Sequence, residues 1–286
     1  MINSVAYFPL YCAQNSSPVI TAVLDFLRSQ KIQIKENSLD SDAVIIWSVL
    51  WHGRMAPNKQ VYEHYQSQNK PIICIDVGAL IRNVTWKISL NNITAQGYYG
   101  HLTDLDFDRP KKLGLSIGKL INPSHKILIT AQHSKSLQVC RLPSMEEWIN
   151  QQIDLVSNYT DRPVVVRPHP RSRLDVSKIN KSVQVQSPTH LKSTYDSFDL
   201  DLNYHMIINY NSGVGIQAAL SGAQIIVDNS SLAYPVTSQI EKIDLDQPMD
   251  RSHWLIQVAH TEYLLEEIRQ GIWFNRLHLN DFTKNY

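Results

Sequence analysis

The sequence has few cysteines. Its 286 residues include three, Cys12, Cys74 and Cys140, which lie far apart and form no CxxC pair. An odd number of isolated cysteines argues against a disulfide framework and against a zinc site built from cysteine. The simplest location for such a protein is a reducing cytoplasm, and we therefore expect a cytoplasmic protein.

Long apolar runs and an excess of charge of one sign are also absent. The longest apolar run, 43–51, is interrupted by Ser48 and is too short to span a bilayer. The first thirty residues lack the basic and apolar regions of a signal peptide. We predict neither secretion nor a membrane helix. The formal net charge of +1 gives no general attraction to a polyanion, so a nucleic acid would have to meet a local patch.

Several catalytic motifs are missing as well. No lysine follows the glycine-bearing turn at 211–213, which excludes a P-loop. No GxGxxG motif follows the first predicted strand, which argues against an oxidoreductase that binds a dinucleotide. The sequence shows no acidic metal cluster and no defensible Ser-His-Asp order. These absences leave group transfer from a nucleotide-activated donor as the chemistry to examine.

What the sequence does contain is a repeated alternation of short apolar runs and helical segments. Strands that alternate with helices indicate parallel, doubly wound sheets, whose ligands gather at the carboxyl ends of the strands. The first series has predicted strands at 5–10, 31–34, 42–49 and 71–75 and helices at 18–28 and 58–68. The second has strands at 126–130, 163–166, 183–185, 207–208 and 225–227 and helices at 144–158 and 215–220.

The two series predict two domains. Acidic and basic clusters, then glycines and a proline, mark 104–123 as the passage between them. We predict an N-terminal Rossmann-like domain over 1–115 and a C-terminal Rossmann-like domain over 124–270, which ends in an amphipathic helix from Asp250 to Gly271. The remaining tail, 271–286, could return to the N-terminal domain.

The stretch 207–228, IINYNSGVGIQAALSGAQIIVD, reads as strand, turn, helix and strand. Asn211, Ser212 and Gly213 form the turn, where uncapped N–H groups and the helix dipole would attract a phosphate or carboxylate. The alternative is an ordinary βαβ unit in which Asn-Ser is only a helix cap.

The string RPHPRSR at 167–173 is the most unusual in the chain. Two prolines stiffen the backbone just past a strand, and Arg167, His169 and Arg171 follow that strand closely. Arginine forks match phosphate oxygens bidentately, so this string and the turn at 211–213 together suggest a nucleoside diphosphate. In the alternative, the arginines are surface charges and His169 is packed inside.

Asp76 directly follows five apolar strand residues. Its carboxylate should therefore lie at the rim of the sheet, where a general base belongs, unless it merely caps the next turn. Cationic and aromatic residues without a clear period follow at 82–87, and this mixture could hold a sugar, a phosphate or a base.

These motifs carry a family resemblance. The second half resembles GT-B glycosyltransferases, and its RPHP and NSGVGIQAALSG strings are similar to those of capsule-type sugar transferases. In the first half, the order of apolar strand, WHGR turn, helix and strand ending in Asp76 resembles the bacteriophage DNA glucosyltransferases that modify hydroxymethylpyrimidines. The sequence departs from the GT-B pattern at Gln217, where a glutamate often binds the donor ribose, and at Val214, where an arginine is expected.

The resemblance implies an α/β protein of the GT-B fold, with two facing Rossmann-like domains and a cleft between them. It implies an inverting glycosyltransferase in which Asp76 deprotonates an acceptor hydroxyl. A nucleotide sugar, a UDP-sugar first of all, would be the co-substrate, with no tightly bound cofactor and no divalent metal needed for binding. The donor-binding candidates are Gln132, His133, Ser134, Arg167, His169, Arg171, Asn211, Ser212, Gly213, Gln217, Ser230 and Ser231.

The acceptor favoured by the resemblance is a 5-hydroxymethylpyrimidine in double-stranded phage DNA, which would place the protein in the host cytoplasm. The candidate acceptor contacts are His52, Arg54, Arg82 and Lys87, with Lys111 and Lys112 as further phosphate contacts. One alternative keeps the chemistry and takes a capsular or lipid-linked saccharide as acceptor. A second is a noncatalytic protein that binds nucleotides or glycans. A retaining mechanism would need no aspartate base.

Overall fold

The chain forms two compact α/β units. The computed structural model describes residues 2–120, 123–180, 183–192, 194, 197–245 and 247–279. One unit comprises Met1–Gly114 and Ile256–Tyr286, and the other Leu115–Leu255. Residues 256–270, which the sequence assigned to the second domain, thus lie in the first unit. Residues 280–286 of the predicted tail lie outside the described residues.

The strands and helices follow the predicted alternation closely. Within the described residues the strands are β1 (Ser4–Tyr7), β2 (Gln33–Glu36), β3 (Ala43–Trp47), β4 (Ile72–Val77), β5 (Thr85–Leu90), β6 (Ser124–Thr130), β7 (Val164–Arg167), β8 (Gln184–Val185), β9 (Tyr204–Asn209), β10 (Gln224–Val227) and β11 (Glu262–Leu264). The α-helices are α1 (Ser17–Ser29), α2 (Asn58–Ser67), α3 (Arg109–Lys112), α4 (Met145–Ser157), α5 (Gly213–Leu220), α6 (Ser252–Ala259), α7 (Leu265–Arg269) and α8 (Ile272–Arg276). None of the helices in these ranges is long and apolar enough to cross a bilayer.

The sheet of the first unit has the strand order β11-β5-β4-β3-β1-β2. Strands β2, β1, β3 and β4 are parallel, whereas β5 is antiparallel to β4 and to β11. The sequence Ala43–Trp47, AVIIW, is buried throughout because helices cover both faces of a parallel sheet. Strand β2 lies on one side of β1, and β3 and β4 lie on the other, so the order in which strands are added reverses between β1 and β3.

Strand β5 was not predicted. Its sequence TWKISL alternates polar and apolar residues, which is the period of a strand, but the polar residues are also buried. Ile88 and Leu90 join the apolar core of the unit, together with Ile73 and Ile75 of β4. Polar side chains therefore occupy the other face, inside the protein.

The prediction of one helix from Asp250 to Gly271 is wrong. Strand β11 interrupts it, because residues 262–264 pair with β5. The buried guanidinium of Arg109 stabilises this break: it donates to the carbonyl oxygens of Ala259 and Glu262, both at 2.6 Å, and forms an ion pair of 2.8 Å with Glu267. The segment 104–123, predicted as a passage between domains, thus contributes a structural residue to the first unit.

The sheet of the second unit has the strand order β10-β9-β6-β7-β8, and all of its strands are parallel. If β6 to β10 are renumbered 1 to 5, the order read from β8 is 3-2-1-4-5, which is the order of a Rossmann sheet. Its core packs apolar residues of β6, β7 and β9 against Trp148, Ile149 and Ile153 of α4. Ser144 caps α4 as predicted, accepting a hydrogen bond of 3.0 Å from the Glu147 amide.

Candidate functional site

The strand order of the second sheet reverses between β6 and β9. In an open parallel sheet, ligands bind outside the carboxyl ends of the strands at such a switch point. Strand β6 ends at Thr130 and strand β9 at Asn209. The loops that follow contain the predicted residues Gln132 and Asn211, so the topology brings together candidates that are distant in sequence.

Gln132 and Asn211 bind each other across the switch point. The side-chain Nε2 of Gln132 donates to Asn211 Oδ1 at 2.9 Å. The side-chain Oε1 of Gln132 accepts from the Asn211 backbone amide at 2.7 Å. The Asn211 side chain also donates to Ser230 Oγ at 2.8 Å, which joins the loop after β10. Gln132, Asn211 and Ser230 are all buried, so this network fixes the positions of three loops.

The amino end of α5 lies beside this network. Ser212 is the N-cap, and its hydroxyl accepts from the Val214 amide at 3.4 Å. The turn is therefore capped, contrary to the expectation of uncapped N–H groups, yet the Gly213 amide donates to none of the described residues. An eight-residue helix presents a partial positive charge there, which suits an anionic group.

Two polar residues that the sequence did not single out support this turn. The Asn209 side chain donates to Thr130 Oγ1 at 2.8 Å and to Ser212 Oγ at 2.9 Å, and its oxygen accepts from the Ser212 amide at 2.9 Å. Both Asn209 and Thr130 are buried at the last position of an apolar strand. A polar residue at that position was the signal that could have identified them.

The loop after β7 approaches the loop after β6. The rings of His133 and His169 meet edge to face with centroids 5.3 Å apart, and Ser134 contacts Ser172 at 3.2 Å. The Arg171 amide donates to His169 Nδ1 at 3.1 Å, which orients that imidazole. Arg171 itself is exposed. The two imidazoles and Ser134 thus share one edge of the sheet with Gln132 and the α5 terminus.

Arg167 is held by protein groups. Its guanidinium donates to the carbonyl oxygen of Asp199 and forms an ion pair of 2.7 Å with the carboxylate of the same residue. The hydrogen bond from Arg167 lowers the pKa of the Asp199 carboxyl. Arg167 is almost completely buried, so its interactions give it a structural part in the unit.

The serines and the glutamine near α5 differ in their access to a ligand. Ser231 is fully buried, and its hydroxyl accepts from the Ala233 amide at 3.1 Å. Ser230 is nearly as buried, and its hydroxyl donates to Asp228 at 2.5 Å while it accepts from Asn211. Both serines therefore stabilise the loop after β10. Gln217 is half-buried, one turn into α5.

In the first unit, Asp76 lies near the carboxyl end of β4 as predicted. Its carboxylate accepts hydrogen bonds from Ser48 Oγ at 3.1 Å and from the Val77 amide at 2.7 Å. The side chain is half-buried, which leaves it accessible from outside the unit. A held, accessible carboxylate at this edge can accept a proton from a hydroxyl.

The candidate acceptor residues fall into two groups. His52, Arg54 and Arg82 are exposed, whereas Lys87 is buried on β5 with 7% of its surface accessible. A side chain in that position is unsuited to contact phosphates of a duplex. Lys111 and Lys112 are exposed, and Lys112 pairs with Asp106 at 2.6 Å. No group of three or more metal-ligating side chains occurs among the described residues.

Neither a protein-family model nor a curated protein matches the sequence. Solved structures do resemble it. The beta Kdo 2,7 transferase of KpsC from Thermosulfurimonas dismutans aligns with a TM-score of 0.55 at 11% identity, covering 98% of this chain and 100% of that chain. The beta Kdo 2,4 transferase of the same KpsC aligns with a TM-score of 0.53 at 10% identity, covering 96% and 98%. The fold is similar to that of these two glycosyltransferases. The likeness supports the predicted GT-B class of fold. The second sheet is parallel throughout, whereas the first is mixed, because β5 runs antiparallel to both of its neighbours.

Proposed function

We propose that this protein is a glycosyltransferase that binds a nucleotide sugar at the carboxyl edge of the second sheet. The observation that carries the proposal is the convergence of three loops on the amino end of α5 at the Rossmann switch point, through Gln132, Asn211 and Ser230. A fold similar to that of two Kdo transferases over almost the whole chain supports the same reaction class.

The diphosphate of the donor would lie against the Gly213 amide and the dipole of α5. His169, oriented by the Arg171 amide, and the exposed Arg171 guanidinium lie at the same sheet edge and would stabilise charge that grows on the departing phosphate. Arg167 has no part in this step, since Asp199 holds it. A UDP-sugar remains the donor we favour.

Asp76 would act as the base of an inverting transfer. It takes the proton of the acceptor hydroxyl while that oxygen bonds to the anomeric carbon, and the bond from this carbon to the nucleotide phosphate breaks on the opposite side. Ser48 and the Val77 amide hold the carboxylate in one orientation for this step. Such a base contributes about 10²- to 10⁴-fold in rate.

The acceptor we favour is a saccharide. Both similar structures are named as Kdo transferases, and Lys87, expected at a DNA phosphate, is buried. Hydroxymethylated duplex DNA is the alternative acceptor, because the candidate phosphate contacts His52, Arg54 and Arg82 are exposed.

The deciding experiment incubates the protein with a panel of nucleotide sugars and with either saccharides or hydroxymethylated duplex DNA, and detects transfer by mass spectrometry. Asp76→Asn should lower the rate about a hundredfold or more. His169→Ala should weaken donor binding, and the matched control His125→Ala should not, since His125 is exposed at the amino end of β6.

Three results would contradict the proposal or its parts. Nucleotide binding by the wild type without transfer to any acceptor indicates a noncatalytic binding protein. Full activity of Asp76→Asn excludes Asp76 as the base. Transfer to DNA together with strongly salt-dependent duplex binding indicates the DNA acceptor instead of the saccharide.

A further inference from the structure

A groove lies in the first unit where the order of its strands reverses between β1 and β3. It has a volume of about 390 Å³, which is at the lower end of the range for sites that bind small molecules. The loop after β1, one face of α1 and Arg54 of the loop after β3 line the groove. In open parallel sheets, ligands bind outside the carboxyl ends of the strands at such a reversal. The groove therefore occupies the position in its sheet where a ligand is expected.

Contacts inside the first unit hold the walls of the groove. Asn58 is buried, and its side-chain Nδ2 donates to the carbonyl oxygens of Tyr11 at 3.0 Å and of Trp47 at 3.1 Å. This residue thereby joins the loop after β1 to the end of β3. The Ser16 hydroxyl donates to the Ala13 carbonyl oxygen at 2.7 Å, which holds the part of the loop that leads into α1. The groove is thus preformed, as most sites for small molecules are.

The groove runs along α1. Ser17, Thr21, Leu24 and Arg28 line it, and their spacing of three or four residues places them on one face of the helix. The helix rises about 16 Å from the first of these residues to the last. A cavity of this volume that follows the helix is narrow, and it suits an extended chain. The hydroxyls of Ser17 and Thr21 are exposed beside apolar carbon atoms, a combination that matches the hydroxyls and C–H groups of a sugar ring.

The charge of the groove is positive. Among the described residues, its lining includes two arginines and no acidic side chain. Arg28 pairs at 3.0 Å with Asp25, which lies outside the lining. The Arg54 guanidinium forms no hydrogen bond or ion pair with any residue that the structure describes. Glu36 lies next to Tyr7 in the strand register, but it is exposed and does not line the groove. Arg54 therefore carries the positive charge that a ligand can neutralise.

We propose that this groove binds the acceptor, a saccharide with an anionic group, and that Arg54 binds this group. A guanidinium binds a carboxylate or a phosphate through two parallel hydrogen bonds. The hydroxyls of Ser17 and Thr21 can each donate to and accept from hydroxyls of the sugar. The inference rests on the proposed function, and it narrows the saccharide acceptor to an anionic one and names the residues that bind it.

An acceptor in the groove lies at the same sheet edge as the proposed base. Ser48, which donates to Asp76, begins the loop that contains Arg54. Strand β3 separates β1 from β4, so the carboxyl ends of β1 and β4 are two strand spacings apart, roughly 9–10 Å. An extended saccharide whose anionic group binds Arg54 can therefore place a hydroxyl beside Asp76. Arg54 takes no part in proton transfer, so its removal should raise the acceptor KM more than it lowers kcat.

The test measures thermal unfolding of the wild type, Arg54→Met and the control Arg269→Met. Arg269 is an exposed arginine of the same unit that does not line the groove. The probes are glucose, glucuronic acid, glucose 6-phosphate and inorganic phosphate. Glucuronic acid or glucose 6-phosphate should stabilise the wild type and Arg269→Met more than glucose or phosphate does. The tighter of the two identifies the anionic group as a carboxylate or a phosphate. Arg54→Met should bind it at least tenfold more weakly.

Alkylation of cysteine shows where the probe binds. Cys12 lines the groove, whereas Cys140 is exposed in the second unit. Burial raises the pKa of the Cys12 thiol to about 11, so alkylation is slow enough to follow by peptide mass spectrometry. The acidic sugar should slow the alkylation of Cys12 at least threefold and leave that of Cys140 unchanged. Unprotected Cys12 in the presence of a bound acidic sugar would place the sugar elsewhere and overturn the inference.

Other results would overturn it as well. These are the absence of any acidic-sugar effect on the wild type, equal affinity for glucose and for the acidic sugars, and full affinity in Arg54→Met. Inorganic phosphate that binds as tightly as the acidic sugars would show that the groove does not recognise a sugar. Duplex DNA that binds through Arg54, without competition from acidic sugars, would assign the groove to DNA.

These readouts are separate from catalysis. A wild type that binds acidic sugars through Arg54 and transfers no sugar to them or to any other acceptor would contradict the proposed function, while the binding assignment stands. A wild type that transfers sugar to neutral saccharides, with an acceptor KM that Arg54→Met retains, would contradict the assignment of the groove and leave the proposed function intact.

Discussion

Gln132 and Asn211, separated by 79 residues, join the loops after β6 and β9 through two hydrogen bonds of 2.9 and 2.7 Å. Gln132 Nε2 donates to the side-chain oxygen of Asn211, and Gln132 Oε1 accepts from the Asn211 backbone amide, so each bond satisfies polar groups that are removed from water. The pair therefore links the stability of the second unit to the shape of the candidate donor site.

Truncation of either residue should destabilise the protein. Gln132→Ala and Asn211→Ala should each lower the free energy of unfolding by about 1–3 kcal/mol, because the remaining partner is left buried and unsatisfied. The double variant should cost less than the sum, with a coupling of roughly 1 kcal/mol or more. Urea unfolding of the four proteins measures this coupling. Strict additivity would mean that the two amides do not stabilise each other.

The two arginines of the string RPHPR should behave differently. Arg167→Ala should lower thermal stability, because it removes a buried guanidinium bound to Asp199. Arg171→Ala should lower stability less than Arg167→Ala does, because Arg171 is exposed, and it should weaken donor binding about tenfold, which is the scale of one charge-assisted hydrogen bond. Calorimetric titration with UDP and thermal unfolding distinguish the two effects. The assignment is wrong if Arg171→Ala binds UDP as the wild type does.

This contrast shows what the sequence could predict at the site. The turn at 211–213, its helix and the edge of the sheet all followed from local patterns of apolar strands and turn residues. The partner of Arg167 did not, because Asp199 is 32 residues away and only the folded chain brings it close. A cationic string therefore predicts an anion, but it does not say whether that anion is a ligand or an aspartate.

The elements of the fold also divide into those that local sequence patterns predict and those that depend on contacts distant in sequence. The parallel strands were predictable because burial on both faces makes them continuous apolar runs. Strand β5 was missed because Thr85, Lys87 and Ser89 are polar and yet buried, against the usual rule that interior positions are apolar. Strand β11 was missed because its three residues lie within a helical pattern, and pairing with β5 overrides that local preference.

Gly271 connects α7 to α8, and alanine should not be tolerated there. Its φ is +74°, and an added Cβ would lie 1.9 Å from Cε2 of Phe26 in α1. Gly271→Ala should therefore destabilise the protein by more than the roughly 1–2 kcal/mol of left-handed strain alone. Gly114→Ala is the matched control, since Gly114 has a φ of +66° and nothing within 4 Å of its added Cβ. Equal losses in the two variants, measured by urea unfolding, would contradict the contact with Phe26.

His260 should make the stability of the protein depend on pH. Its Nε2 accepts from the Asp106 amide at 2.9 Å, and its Nδ1 contacts the Ile256 carbonyl oxygen at 2.8 Å, so the folded protein needs the neutral ring with a proton on Nδ1. Burial lowers the pKa of His260 below its ordinary value. The unfolded chain then binds more protons than the folded one at acidic pH. Stability is therefore fully present above a pH of about 6.5, the ordinary pKa of histidine, and is lost as the pH falls below it.

The pH effect is measured as the difference in unfolding free energy between the wild type and His260→Gln from pH 8 to pH 5. The glutamine oxygen can still accept from the Asp106 amide but does not titrate. The advantage of the wild type should be largest at pH 8 and should shrink toward pH 5, because only the wild type must keep a buried ring neutral. A difference that is constant over this range, or that grows as the pH falls, would show that His260 is not held neutral in the folded protein.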